Sequence, residues 1–417
     1  MTKDLSYLSY PLPPDIQRLF EAGDFDRMAR VIRQRLEDPR VPKTLHERLR
    51  FQLIIAKEIP EYYRLTQADM LAILQENIND FTEDELEALR DDGTLDWRYI
   101  NGEVHFRNNC LDALLKVRKE YALRAKDPEV QAAADARGQR LNAMITRMKE
   151  EGSMHVRFEL HEEMTVKSDR LTPGETLRIH LPLPVVGAQV KSAALLSTSH
   201  PATFIAPADE PQRTVYFELP YEPGMTVSAE LAYEIEAPYC QPHAREVLAE
   251  QPTFDTEEMP PHVVFTPYLT VTNLPEYFMS GLRGDCGVQA ITFITLCRLC
   301  GIPAKWQAGL YTKPDDAGHH DWARFYIAPY GWLYADCSFG GSAFRAGDLD
   351  RWNFYFGNLE PWRLPMCSDF QQEFNPPRRF IRYDPYDNQG GEIESLTRAL
   401  DDDEYDTSRR VTLYEEL

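Results

Sequence analysis

The hydrophobic periodicity of the chain changes at Gly152, and this change is the strongest constraint on its fold. Before that residue, apolar side chains recur every three to four positions, which is the period of an amphipathic helix. From residue 153 to residue 237, apolar and polar residues alternate instead. Turn sequences such as TPGE and EPGM separate the alternating runs. The pattern predicts a β-sandwich domain over residues 152–240.

Residues 1–151 are predicted to form a mostly helical accessory domain. The runs FDRMARVIRQRLED and QADMLAILQENIND carry apolar residues at helical spacing, and Thr82 with Glu85 makes a capping-box pattern before another helix. One stretch differs, because apolar and polar residues alternate on both sides of Asn101-Gly102. That pair is typical of a two-residue type I′ turn, so a small β-hairpin is expected inside the helical region.

Residues 241–385 mix a helix with short strands. An apolar helix is predicted to begin at Cys286, and PAKWQAGLY, DWARFYIAP and GWLYADCSF are typical of strands. Beyond residue 385 the chain becomes acidic, with DDDEYD near its end, which predicts a solvated or loosely docked acidic tail over residues 386–417. The whole chain is thus predicted to be a multidomain α+β protein.

The composition limits the partners of the chain. It has 67 Asp and Glu against 45 Lys and Arg, a net charge of −22, which disfavours nucleic acid and anionic membranes as partners. No run of 18 apolar residues and no apolar segment typical of a secretion signal occurs. The seven cysteines are therefore expected to be reduced thiols in the cytoplasm, although a trimmed leader would leave the same sequence. The oligomeric state is not predicted.

The sequence GDCG at residues 284–287 has the features of a reactive-cysteine site. Asp285 precedes an apolar helix and is suited to cap it, which makes Cys286 the first helical residue. The positive end of the helix dipole favours a thiolate there, so the pKa of the thiol is expected to be lowered. The N–H groups of the first turn can bind an oxyanion, and Gly284 and Gly287 let a substrate backbone approach closely.

A base and an orienting acid follow in the sequence. His320 leads the strand DWARFYI, and after a turn WLYAD returns as the neighbouring strand. In a hairpin of this length His320 and Asp336 are expected to lie close together, with Asp336 holding the imidazole as the third member of a triad does. The neighbouring His319 is the alternative base.

These motifs resemble the transglutaminase-like superfamily, whose core carries a papain-type Cys-His-Asp site. Members share a G-x-C helix start that leads to a GIPAR-like turn, then an H-x-W strand, then a GW strand that ends in the acidic residue. The corresponding stretches of this chain are GDC with GIPAKW, His320-Asp321-Trp322, and Gly331-Trp332 with Asp336.

The resemblance covers about residues 260–375 of the chain. The preceding β-sandwich resembles the β domain that often accompanies bacterial members, and the helical region resembles an accessory domain of one bacterial branch. The H-x-W pattern favours His320 over His319 as the base. Members often carry Glu two residues after the Trp and Pro-Thr after the acid, where this chain has Arg324 and Cys337-Ser338. Because of these departures, the substrate of a better-known branch of the superfamily is not assigned to this chain.

The resemblance implies a cysteine-dependent enzyme that acts on an amide. Cys286 would attack the carbonyl, His320 would take and return the proton, and Asp336 would orient His320. The acceptor of the acyl thioester would decide the reaction: water for a peptidase or amidase, an amine for a protein-glutamine γ-glutamyltransferase. Bacterial members of this layout favour hydrolysis of a peptide or protein amide, with no cofactor and no metal. A non-enzymatic binding or scaffold module is a further alternative, which the intact triad disfavours.

Cys297 and Cys300 are spaced as in a zinc or redox motif, and His319, Cys337 and Cys367 are possible additional ligands. A structural zinc site usually has a second closely spaced pair, which this sequence lacks. Both cysteines are therefore predicted to fill the interface between the helix and the sheet. No D-x-[DN]-x-[DN]-G calcium loop occurs either.

Aromatic residues near the predicted base are candidates for substrate binding. Trp322 and Tyr311 adjoin its strand and are predicted to line a cleft. Tyr277 is a further candidate for substrate binding, and Tyr277 and Asn273 are candidates for the upstream oxyanion donor that the resemblance implies. The segment 312–320, TKPDDAGHH, is predicted to be a mobile loop over the site.

Overall fold

A computed structural model provides the structure of the protein. It describes residues 10–243, 245–247, 284–313, 316–370, 372–380 and 389–417. These residues divide into two compact units, one that ends at Arg140 and one that begins at Leu141. The fold is of the α+β class, with helices and antiparallel sheets in both units.

The first unit is largely helical. Two of its helices begin with capping boxes, formed by Thr66 with Asp69 and by Thr82 with Glu85. No helix in the described part of the chain is both long and apolar enough to cross a bilayer. The helices are α1 (Pro14–Glu21), α2 (Phe25–Leu36), α3 (Lys43–Tyr62), α4 (Gln67–Asn77), α5 (Glu83–Asp91), α6 (Cys110–Val117), α7 (Lys119–Ala122) and α8 (Pro128–Glu151), which continues into the second unit.

The predicted hairpin is present between α5 and α6. Its strands β2 (Trp97–Ile100) and β3 (Glu103–Phe106) are antiparallel, with Ile100 opposite Glu103. The two residues between them, Asn101 and Gly102, have φ angles of 51° and 100°, as a type I′ turn requires. A short strand β1 (Leu65–Thr66) pairs with β3 and completes a three-stranded sheet.

Two four-stranded antiparallel sheets in the second unit share one apolar core. Phe158 and Leu231 of one sheet and Ile179 and Phe217 of the other belong to this core. The alternation that the sequence shows thus buries one face of each sheet. The first sheet has the order β16 (Tyr405–Glu416), β4 (Ser153–Val166), β9 (Thr226–Pro238), β6 (Val190–Thr198), and the second has the order β15 (Glu392–Ser395), β5 (Thr176–Pro182), β8 (Thr214–Pro220), β7 (Phe204–Ile205).

The C-terminal residues do not form the acidic tail predicted over 386–417. Instead β15 pairs with β5 in one sheet, and β16 pairs with β4 along nearly its whole length in the other. The acidic residues lie in a 3-10 turn, Asp402–Glu404, where Glu404 is buried and accepts hydrogen bonds from Arg398. The prediction was wrong because it weighed the charge of DDDEYD above the alternation of the residues that follow.

A five-stranded antiparallel sheet carries the predicted catalytic segment. Helix α9 (Cys286–Leu299) packs on one of its faces, where the ring centroids of Phe293 and Phe325 lie 5.7 Å apart. The sheet has the order β13 (Phe356–Gly357), β12 (Gly331–Ala335), β11 (Asp316–Ile327), β10 (Ala304–Lys313), β14 (Arg363–Cys367), and the helices are α9 (Cys286–Leu299), α10 (Cys337–Arg345) and α11 (Leu349–Phe354).

The segment 312–320, predicted to be a mobile loop, lies mostly within two strands. Strand β10 extends to Lys313, and β11 begins at Asp316, which pairs with Lys313. Pro314 and Asp315 lie outside the described residues. The prediction was based on turn-forming residues, but a strand ladder needs only backbone N–H and C=O groups, which Gly and His supply as well as Val.

Candidate active site

Helix α9 begins at Cys286, as the sequence predicts. The Asp285 side chain caps it by accepting a hydrogen bond from Val288 N, at 3.0 Å. Val288 and Ile291 are buried, so the first turn is anchored in the interior of the domain. The first N–H groups of a helix have no partner inside it, so this turn presents donors next to the thiol.

The Cys286 thiol donates a hydrogen bond to Asp321 of β11, with 3.3 Å between Sγ and Oδ2. The other carboxylate oxygen of Asp321 accepts a hydrogen bond from Gln389 Nε2, at 2.5 Å. A glycine at position 287 leaves room for this contact, because a Cβ there would lie 3.0 Å from Asp321 Oδ2. Sequence reasoning missed Asp321 as a partner, although it is the middle residue of the H-x-W motif.

The thiol of Cys286 is held in its neutral form in this arrangement. Burial raises its pKa well above the ordinary value, and the carboxylates of Asp321 and Asp285 raise it further. The sequence predicted a lowered pKa from the helix dipole, but the N-terminus of a helix is worth only about half a positive charge. Two full negative charges outweigh it, so the predicted direction is wrong for this conformation.

Replacing Asp321 with asparagine is expected to lower the pKa of the Cys286 thiol, because the change removes a carboxylate and keeps the side-chain shape. Iodoacetamide should then label Cys286 faster at neutral pH, by about tenfold for each unit of change. Intact-mass spectrometry across pH measures the rate. The exposed Cys300 is an internal reference, and Asp209→Asn, at an exposed residue, controls for net charge. An unchanged or slower rate would show that Asp321 does not oppose the thiolate.

His320 and Asp336 form the predicted pair. His320 Nε2 lies 2.8 Å from Asp336 Oδ2, and both side chains are buried. Asp336 directly follows β12 and also caps helix α10, because its Oδ1 accepts a hydrogen bond from Phe339 N. Since Nε2 of the imidazole is occupied, Nδ1 is the nitrogen left to exchange a proton with another group.

A buried arginine stabilises the charge on Asp336. Arg363 Nη1 lies 2.8 Å from Oδ2, the same oxygen that His320 contacts. Burial alone would raise the pKa of Asp336, but His320 and Arg363 outweigh it and lower this pKa to about 2. Asp336 is therefore ionised at neutral pH.

Glu360 holds the arginine in turn. Arg363 Nε lies 2.6 Å from Glu360 Oε1, and neither side chain reaches solvent. Sequence reasoning missed both residues. A signal was present, because they are two opposite charges three residues apart within the otherwise apolar run LEPWRLPM, and charged residues in such a run are buried only when paired.

Trp322 and Tyr311 do not line an open cleft, contrary to the prediction. They expose 0% and 7% of their surface, and their ring centroids lie 5.6 Å and 5.0 Å from the Arg363 guanidinium. Both belong to the apolar core that the sheet shares with the sandwich, so their role is to enclose the charged pair. Tyr277 and Asn273 lie outside the described residues.

The structure brings together two of the three predicted catalytic residues. Successive side chains of a strand point to opposite faces of its sheet, so His320 points away from the face on which Asp321 contacts Cys286. Within the described ranges, no hydrogen bond joins Cys286 to His320. The backbone of β11 therefore separates the thiol from the His320–Asp336 pair.

His319, the alternative base, contacts an arginine. Its Nε2 lies 2.6 Å from Arg409 Nη1, and partial burial with the Arg409 cation lowers the pKa of His319 to about 3. A guanidinium only donates hydrogen bonds, so Nε2 must accept and Nδ1 must carry the proton of the neutral ring. In this state His319 has no nitrogen ready to take a proton, which favours His320 as the base.

The two cysteines of the CxxC pair have different environments. Cys297 is buried, as the sequence predicts, whereas Cys300 is exposed. The prediction that both fill the interface between helix and sheet is wrong for Cys300, because α9 ends at Leu299 and Cys300 is its C-cap.

Comparison with known proteins finds a family model that matches part of the chain. No curated protein matches the sequence. The solved structure of a presumed cysteine protease from Cytophaga hutchinsonii is similar at 14% identity and a TM-score of 0.37, over 64% of this chain and 91% of that one. Residues 262–337 match the family model of the transglutaminase-like superfamily, and they include Cys286, His320 and Asp336. The likeness to this superfamily therefore covers the segment that carries the three predicted catalytic residues.

Proposed function

We propose that this protein is a cysteine-dependent enzyme that cleaves amide bonds through an acyl-enzyme thioester. Cys286 is the nucleophile, His320 is the base, and Asp336 orients His320. The observation that carries the proposal is the buried, hydrogen-bonded pair of His320 and Asp336, which lies in the same matched segment as a cysteine at a helix N-terminus. Burying two ionisable side chains costs free energy, which a role in proton transfer explains.

The reaction begins when Cys286 Sγ bonds to the carbonyl carbon and its proton moves to His320 Nδ1. The carbonyl oxygen becomes an oxyanion, which the N–H groups at the start of α9, including that of Cys286, stabilise. His320 then gives the proton to the leaving nitrogen as the C–N bond breaks, and an acyl thioester remains. Water, which gives a proton to His320, attacks the thioester, releases the acid and restores the thiol.

Catalysis requires Cys286 to exchange its partner. In the structure the thiol donates to Asp321, whereas in the reaction it must reach His320 Nδ1. The described arrangement is, in this proposal, the resting one, and turnover includes a movement of the start of α9 relative to β11. Glycines on both sides of the thiol, at 284 and 287, give this part of the backbone the freedom that such a movement needs.

Water is the proposed acceptor, which makes the protein a peptidase or amidase of peptide or protein substrates. An amine acceptor would make it a protein-glutamine γ-glutamyltransferase. Both reactions share the thioester and differ only in the step that releases the acyl group, so an experiment on that step separates them.

A binding module without enzymatic activity is the second candidate. The contact between Cys286 and Asp321 favours it, because this contact keeps the thiol neutral and on the side of β11 away from His320. In that case the His320–Asp336 pair would serve only the stability of the domain.

Acylation by p-nitrophenyl acetate, a general acyl donor, tests the proposal without the natural substrate. We expect intact-mass spectrometry with peptide mapping to find the acetyl group on Cys286. His320→Ala should slow its appearance by about 10²–10⁴-fold, the usual contribution of a general base. His319→Ala is the matched control and should keep the wild-type rate. Acylation of Cys286 no faster than that of the exposed Cys300 would contradict the enzyme and support the binding module.

The release of the acetyl group identifies the acceptor. A hydrolase should release acetate at a rate that added lysine methyl ester does not change. If the acetyl group appears on the amine instead, the protein is a transferase and the proposed hydrolysis is wrong.

A further inference from the structure

Asp336 is one of three charged residues that are buried in contact with one another next to His320. Asp336, Arg363 and Glu360 expose 2%, 0% and 1% of their surface. Arg363 bridges the two carboxylates, with 2.8 Å from Nη1 to Asp336 Oδ2 and 2.6 Å from Nε to Glu360 Oε1. Removing three charged groups from water costs free energy. Their burial next to a predicted catalytic histidine therefore requires an explanation.

The three charges do not cancel. Two carboxylates and one guanidinium leave a surplus of one negative charge, and an unbalanced charge in a protein interior is unfavourable. His320 is in direct contact with the surplus, because its Nε2 shares Asp336 Oδ2 with Arg363. A proton on His320 makes the set of four groups neutral.

Within the part of the chain that the structure describes, the polar neighbours of these residues do not supply the missing charge. Burial raises the pKa of Tyr355, which lies over the Arg363 guanidinium, so its hydroxyl is neutral. Burial, and then Asp336, raise the pKa of Cys337 to about 12, so its thiol is neutral too. The backbone carbonyl of His320 accepts a hydrogen bond from the uncharged amide of Gln389. The ring of Tyr311, on the neighbouring strand, lies 5.0 Å from the Arg363 guanidinium.

The ring of Phe339 packs against both Arg363 and His320. The ring centroid of Phe339 lies 4.3 Å from the Arg363 guanidinium and 4.8 Å from the His320 ring centroid. The backbone N–H of Phe339 also donates to Asp336 Oδ1. Arg363 therefore restrains both the carboxylate and the ring that packs on the imidazole.

We propose that Arg363 is a positioning residue of the active site, and that Glu360 and Arg363 together set the buried charge that His320 faces. The inference rests on the proposed function for the role of His320. The imidazolium is the form that arises when Cys286 gives up its proton, and it is the form that protonates the leaving nitrogen. A buried charge that stabilises this form lowers the free energy of the state from which the amide bond breaks.

The test is an NMR titration of the full-length protein with histidines labelled with ¹³C at Cε1. The His320 signal is assigned by its loss in His320→Ala. We expect Glu360→Gln, which removes one negative charge and keeps the shape, to lower the pH at which His320 is half-protonated by about one unit. Arg363→Met should raise this pH, and Arg363→Lys, which keeps the charge, should leave it near the wild-type value.

A matched control separates this effect from simple destabilisation. Arg398→Gln removes one partner of the buried Glu404, which has no contact with the four groups, and should not move the His320 midpoint. A midpoint in Glu360→Gln that is unchanged or higher would overturn the proposal. Should Arg363→Met fail to fold, Glu360→Gln alone decides the outcome.

The same variants distinguish this inference from the proposed function. Glu360→Gln should lower the maximal rate of acylation of Cys286 by about tenfold and leave its dependence on ester concentration unchanged, since one pH unit corresponds to a factor of ten in the protonated fraction. If His320→Ala acylates at the wild-type rate while Glu360→Gln still shifts the midpoint, the proposed function fails and the electrostatic coupling stands.

Discussion

Cys286→Ala is expected to abolish acylation while the protein keeps its fold. The variant lacks the sulfur that forms the covalent intermediate, and loss of a nucleophile typically reduces the rate by about 10⁴-fold or more. The free energy of unfolding should change by less than about 1 kcal/mol, because Cys286 is half-buried and alanine is well suited to a helix. Release of p-nitrophenol measures the rate, and urea denaturation followed by circular dichroism measures the stability.

The cysteine at the C-cap of the same helix provides the control. Cys300→Ala removes an exposed thiol at the opposite end of α9 and should keep the wild-type rate. If the two variants acylate equally fast, Cys286 is not the nucleophile, and the binding module becomes the better account of this domain.

A chain that ends at Leu400 is expected to lose its folded sandwich sheets. The truncation removes β16 and exposes the edge of β4 along nearly its whole length. It also removes Arg409, whose Nε lies 2.8 Å from Oε1 of the fully buried Glu162. A buried carboxylate that loses its partner costs about 3–5 kcal/mol, which is a large part of the roughly 5–15 kcal/mol by which a protein is stable. Urea denaturation and limited proteolysis measure the loss.

Two point variants on β16 separate the ion pair from the strand itself. Arg409→Met should reproduce much of the destabilisation, because it leaves Glu162 buried and unpaired. Arg410→Met, at the next residue and exposed, should change the free energy of unfolding by no more than about 0.5 kcal/mol. A truncated chain that unfolds at the wild-type urea concentration would mean that residues 401–417 are the loosely docked tail that their charge first suggested.

Features that depend on neighbours in sequence were predicted well. The hairpin at Asn101-Gly102 follows from the φ angles that a two-residue turn imposes, and the start of α9 follows from the capping ability of Asp285. The pairing of His320 with Asp336 was also within reach, because only a short antiparallel hairpin separates them. In each case the residues that determine the structure lie within about 20 positions of one another.

The fate of the C-terminal residues shows where local reasoning fails. The sequence TSRRVTLYEE alternates as a strand does, but the acidic stretch before it argued for a solvated segment. In the structure, this segment pairs with β4 and its Arg409 contacts the buried Glu162, which lies 247 positions earlier in the chain. The residues next to Arg409 in the sequence give no sign of this contact.

The sequence by itself thus determined the small hairpin, the start of α9 and the types of residue that carry the proposed chemistry. Only the tertiary structure decided that the Cys286 thiol contacts Asp321, that His320 points to the other face of β11, and that Arg363 and Glu360 stand behind Asp336. The reason is physical: periodicity, capping and turns depend on a few bonds along the chain. The pKa of a thiol or a carboxylate depends instead on charges a few ångströms away, and these come from residues that only folding brings together.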